Sequence, residues 1–89
     1  MDQLTQFRLL VEECIESRDW LLIRFIDGEE MIFLPCGIGP ARIEELDLIA
    51  WIATGIRYNR ITAEESLTGL SLNHVRELSR CEAPPTTTD

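Results

Sequence analysis

Residues able to do covalent or metal chemistry are few in this chain, and they are scattered. His74 is the sole histidine, and Cys14, Cys36 and Cys81 lie far apart in sequence. A cysteine–histidine pair would let the imidazole take the thiol proton and leave a thiolate nucleophile. No third residue is spaced to orient such an imidazole, and Cys14 falls on an apolar stripe where it reads as core. A zinc site needs four ligands, usually built from local pairs such as Cys-x-x-Cys, and the chain has no such pair. An odd number of widely spaced cysteines fits reduced thiols better than a disulfide framework. Gly37-Ile38-Gly39-Pro40 lacks the spacing of a phosphate-binding loop, and Pro40 has no amide to donate to a phosphate. The sequence therefore predicts no catalytic residues, no metal and no cofactor.

What the chain does carry is charge. Sixteen acids face eight basic residues, all of them arginine, for a net charge of −8. The acidity is polarised: residues 1–40 hold three arginines and eight acids, whereas residues 41–80 hold five arginines and six acids. Glu12, Glu13, Glu16 and Asp19, with Glu29 and Glu30, form the expected acidic face for a partner protein with a basic surface, since charge complementarity speeds encounter and selects partners. The same balance disfavours nucleic acid, because phosphates repel it unless positive charge is concentrated.

The elements that would position these groups follow from periodicity. Residues 2–18 read as an amphipathic helix, with Leu4, Phe7, Leu10, Val11, Cys14 and Ile15 on one face, Asp2 as its cap and Arg8 one turn from Glu12. Residues 20–34 read as a hairpin around Asp27-Gly28, the favoured type I′ pair. That turn sets Ile26 opposite Glu29, Arg24 opposite Met31 and Leu22 opposite Phe33. Leu22, Met31 and Phe33 then share one face, and with Trp20 they are the expected interface anchors. Both hairpin faces are apolar, and a lone hairpin is marginal in water, so the second face is expected to meet other helices or another chain. From this we expect a homodimer. A loop at 35–40 leads into a long helix from about Ala41 to Tyr58, apolar nearly all round and therefore central or at an interface.

The stretch from Ile61 to Arg80 predicts two further helices. Thr62 and Glu65 have capping-box spacing, Gly69 suits a turn, and Ser71 is placed to cap the last helix. Residues 56–80 resemble the helix-turn-helix half of small bacterial antitoxins and regulators, at Gly69, Leu70, Ser71 and Val75. That resemblance implies a recognition helix presenting Asn73, Arg76 and Arg80 to DNA bases, the alternative function for this chain.

The expected fold is thus α+β: an N-terminal helix, a two-stranded antiparallel hairpin, a long helix and a C-terminal helix-turn-helix-like pair. Residues 1–80 form one domain, with 81–89 a flexible tail. The expected function is a non-enzymatic, acidic, protein-binding regulator, inhibitor- or antitoxin-like and from a bacterium or mobile element, that occludes a partner. No apolar run approaches membrane-spanning length and the N-terminus lacks a signal-peptide pattern, which points to the cytoplasm.

Overall fold

The computed structural model describes residues 2–85. It contains one helix, α1 (Gln3–Ser17), and five strands: β1 (Trp20–Phe25), β2 (Glu30–Ile43), β3 (Leu48–Tyr58), β4 (Glu65–Ser71) and β5 (Val75–Cys81). All four pairings are antiparallel, in the order β4-β3-β2-β1-β5. Cys81 ends a strand, so the expected tail begins one residue later, and its last four residues lie outside those described.

The helix at the N-terminus obeys its local signals. The Asp2 carboxylate accepts from the Thr5 amide at 2.7 Å, and Arg18 ends the helix in the left-handed region at φ 58°. Val11 and Cys14 are buried against the sheet. Arg8 does not turn toward Glu12. Its guanidinium carbon lies 3.4 Å from the centre of the Trp51 ring.

The expected long helix is absent. Ala41 to Tyr58 forms the end of β2, a 3-10 turn at Glu44–Leu46, and β3. Apolar residues on all sides also describe a strand covered on both faces, and the signal that separates the two is the supply of β-branched and aromatic residues. Ile43, Ile49, Trp51, Ile52, Thr54, Ile56 and Tyr58 supply it, and Gly55 would weaken a helix interior. The expected helix-turn-helix is absent as well. Gly69, Leu70 and Ser71 are strand residues, and Arg76 to Arg80 lie in β5. Ser71 does cap, accepting from the Asn73 amide at 3.3 Å, but the turn it starts is a single 3-10 turn, Leu72–His74. Thr62 caps nothing helical. Asn59 instead takes the amides of Ile61 and Thr62 in an Asx-type turn.

The hairpin forms one residue out of the expected register. Phe25 donates its amide to the Glu29 carbonyl at 2.8 Å, and Gly28 donates to the Phe25 carbonyl at 3.0 Å. This is a three-residue loop in which Gly28 alone takes positive φ, at 92°. Asp27 stays at negative φ and accepts from the Glu29 amide at 2.9 Å. A type I turn closed by a glycine bulge thus replaces the type I′ turn, which would have forced Asp27 to positive φ. The pairs become Leu21–Phe33, Leu22–Ile32, Ile23–Met31 and Arg24–Glu30.

The sheet cannot be flat. Its two edge strands, β4 and β5, are joined by only Leu72, Asn73 and His74. Four flat strand spacings would separate the edges by about 19 Å, whereas the four backbone steps from Ser71 to Val75 reach about 14 Å at most. The sheet therefore curls toward a barrel, with α1 across its concave side. The link is tied down at both flanks: Ile26 donates to the His74 carbonyl at 2.9 Å, and Trp51 donates to Asn73 Oδ1 at 3.3 Å. The core fills the concave side, with Leu21, Ile23, Phe33, Ala53 and Leu72 among its fully buried members.

Candidate functional site

The residues with chemical potential do not converge. Cys14 is fully buried beneath α1, Cys36 is exposed, Cys81 is half-buried, and His74 stands exposed in the link between β4 and β5. Burial pushes the Cys14 thiol above its ordinary pKa, with Arg80 acting in the opposite sense, and burial likewise raises Cys81. Among the described residues, no group of three histidines, cysteines or acids is placed to hold a metal ion. No helix among them is long and apolar enough to cross a membrane.

The six acids expected to form one face are divided. Glu12, Glu13 and Glu16 lie on the exposed side of α1. Glu13 is tied to Arg80 at 3.2 Å, and Asp19 to the same guanidinium at 3.4 Å, so these two fasten α1 to β5. Glu30 is on the opposite, convex face of the sheet, where it pairs with Arg24 at 2.6 Å while Glu77 approaches the same arginine at 3.4 Å. Glu29 lies in the β1–β2 turn.

The one-residue change of register also re-sorts the expected anchors, because side chains alternate along a strand and a slip by one moves each to the other face. Phe33 is fully buried core, and Met31 packs against that core. Trp20 and Leu22 do lie on the convex face, with Ile32 and Leu34 as their neighbours in β2. Asn73, Arg76 and Arg80 are not on a recognition helix. Asn73 hydrogen-bonds the Trp51 backbone, Arg76 offers its carbonyl to Gln3 at 3.1 Å, and Arg80 holds α1.

One feature is absent from the sequence-based expectations. β1 reaches no further along β2 than Phe33, and β4 pairs with β3 only from Ile52 onward. Beyond these limits β2 and β3 have only each other, so Pro40 to Trp51 projects as a two-stranded arm. Its root is held by Trp51, under Arg8 and bonded to Asn73, and by Ala50, which is 4% exposed. Its tip turns through Glu44–Leu46, with Asp47 at φ 49° and an exposed Arg42–Asp47 pair at 3.1 Å. Four aliphatic side chains stand in solvent there: Ile43 at 40% exposure, Leu46 at 65%, Leu48 at 54% and Ile49 at 61%. Glu44 and Glu45 flank them with no ion-pair partner among the described residues.

This arrangement offers a small aliphatic surface, carried on a lever and surrounded by net negative charge. Burying one exposed leucine or isoleucine side chain stabilises a contact by roughly 1.5–3 kcal/mol, so the tip is worth far more in a cleft than in water. The arm edge is poorly suited to strand addition. The Trp51 amide goes to Asn73, so it does not bond across to Pro40, which leaves the Pro40 nitrogen, without a hydrogen, on the free edge. A proline there interrupts the row of donors that an added strand would need. Comparison of the chain with profiles of protein families, with curated proteins and with solved structures finds no match.

Proposed function

We propose that this chain is a non-enzymatic protein-binding regulator that acts by occlusion: the arm tip enters an apolar cleft with a basic rim on a partner protein and covers it, in the manner of an inhibitor or antitoxin. The observation that carries this reading is the exposure of Ile43, Leu46, Leu48 and Ile49 beside Glu44 and Glu45, which have no ion-pair partner among the described residues. Aliphatic contact supplies the binding free energy, while the acids, within a chain of net charge −8, steer encounter with a basic surface. Three free thiols suit a reducing compartment such as the cytoplasm.

The test is affinity capture of the tagged chain from its native host after nuclease treatment, compared across variants. Leu46→Asp with Leu48→Asp is expected to abolish stoichiometric capture at every salt concentration, because it puts charge into the apolar contact. Glu44→Lys with Glu45→Lys is expected to weaken capture mainly at low salt, where exposed charges are least screened. Glu12→Lys with Glu16→Lys on α1 serves as the control and leaves capture unchanged. Loss of capture in the α1 variant, with the arm variants binding normally, would move the site to the helix and overturn the arm reading.

A further inference from the structure

We infer that the outer edge of β4 takes up an extended segment of another protein, apolar at alternate positions and basic at its ends, as a sixth strand. The inference does not use the arm and stands apart from the function proposed above.

β4 pairs with β3 on one side and with no strand on the other. Which of its backbone groups are left over follows from β3, because successive residues of a strand direct their N–H and C=O groups to opposite edges. The Trp51 amide donates to Asn73 Oδ1 on the β4 side, and at the far end of β3 Asn59 donates to the Glu64 carbonyl at 2.9 Å. Between them, Ala53, Gly55 and Arg57 therefore direct their groups to Leu70, Thr68 and Ser66. Pro35, opposite Gly55 in β2, agrees with this, since it has no amide to offer β3. Leu67 and Gly69 are left with their N–H and C=O groups aimed outward. From Ser66 to Ser71 this edge has no charge, no proline and no bulge, the usual guards of an exposed strand. The other edges are guarded: the arm by Pro40, and β5 by Arg76, Glu77 and Arg80, with Gln3 donating to the Arg76 carbonyl.

Two depressions select the chemistry of the occupant, and Gly69 lines both. Between β4 and the β1–β2 turn lies one of about 630 Å³, walled by Phe25, Ile26, Met31 and Leu70. On the other face of β4 a second, of about 380 Å³, runs past Cys36, Thr54 and Leu67. A strand added along Leu67 to Ser71 sends alternate side chains to opposite faces, one into each depression, while its backbone bonds the edge. A Cβ at Gly69 would meet only ordinary contacts, the nearest Thr54 Cγ2 at 3.7 Å, so the fold itself does not require a glycine there. Asp27 and Glu29 border the larger depression with no ion-pair partner among the described residues, which fits a segment with basic ends. A second copy does not supply that chemistry. It brings a net charge of −8 and a β4 without a basic residue, and in its β5 Arg80 is held by Glu13 and Asp19 while Arg76 stands at a break in the pairing.

The probe is a fluorescent peptide, Lys-Val-Thr-Val-Thr-Val-Lys, titrated with the whole chain and followed by anisotropy, with amide hydrogen exchange of the chain read by NMR. Saturable binding below about 1 mM is expected, weakening as salt rises, together with slower exchange at Leu67 and Gly69. The same peptide with proline in place of its central valine is expected not to bind, because it loses a ladder donor. Leu67→Pro removes an outward amide on an edge that tolerates proline, and is expected to weaken the probe by about tenfold. Gly69→Val has room for its Cβ, keeps the fold by circular dichroism, and is expected to weaken the probe by filling the smaller depression. This variant and the exchange data carry the test if Leu67→Pro does not fold. Leu46→Asp at the arm tip leaves probe binding unchanged, which separates this edge from the arm. No saturable binding up to about 1 mM overturns the inference, and so does equal binding of the proline peptide. Protection of Leu67 and Gly69 that rises with protein concentration in the absence of peptide assigns the edge to a second copy and overturns it as well.

Discussion

A methyl group added at Gly55 would overlap the carbonyl oxygen of Leu34 and approach Phe33 Cζ to 2.9 Å. The backbone of β3 is pressed against β2 there, beside the bulge at Cys36 that shifts the register between Pro35 and Gly37. Gly55→Ala is expected to destabilise the chain by about 2–4 kcal/mol, because backbone cannot yield as a flexible side chain would. Denaturant unfolding measures this, and a cost under about 0.5 kcal/mol would mean that the contact relaxes freely. Cys14 gives a second prediction. Its folded pKa is raised by burial above that of the unfolded thiol, so its contribution to stability is full below the unfolded value and falls as pH rises toward the folded one. The unfolding midpoint should therefore drop above about pH 8.5. Cys14→Ala is expected to lower stability at neutral pH and flatten that alkaline decline. A decline of the same slope in the variant would assign it to other groups.

The arm is an element that the rest of the fold does not need. Ala41 pairs with Ala50, so removing residues 42–49 and joining the two alanines by Asn-Gly, the favoured two-residue hairpin turn, preserves the register below the cut. The shortened chain is expected to keep its far-ultraviolet circular dichroism, change in stability by no more than about 1 kcal/mol, and lose the capture proposed for the arm tip. Failure to fold would place the arm within the core instead. The same element shows where sequence reasoning stopped. α1 was legible because a single 3.6-residue stripe and a capping aspartate agree. The hairpin was legible in place but not in register, since Asp27-Gly28 serves two loop types that differ by one residue. β3 was misread because Ile49 to Tyr58 is apolar on both faces, a pattern that helix and strand share. Leu70-Ser71-Leu72 imitates a helix start, and only the closure of the sheet, invisible locally, limits that start to one turn. Of the candidate site, sequence reasoning named no residue: Ile43, Leu46, Leu48 and Ile49 fell within the expected long helix, and Glu44 and Glu45 lay outside the expected acidic face. The acids and anchors it did name are divided between α1, the core and the convex face by a register that local sequence did not determine.

At the scale of the whole molecule, three surfaces stand outside the core: the acidic side of α1, the aliphatic tip of the arm and the convex face of the sheet. Their responses to salt and substitution separate them. Contacts of the arm with a basic rim, as proposed above, should weaken with salt, whereas burial of apolar side chains should not.

The short link between β4 and β5 also orders events in time. The partner of Trp20 in β5 is Cys81, and that of Ile23 is Leu78, so the first strand made must wait for the last. During synthesis β1 can pair with β2 and α1 can settle on their shared face, but one side of β1 stays bare until the C-terminal strand emerges. Pairings between such distant segments are slow to form, and an uncovered strand edge is where nascent chains find the wrong neighbour. β5 therefore acts as a clasp, and a chain halted before Val75 would be left with the seam beside β1 unsealed.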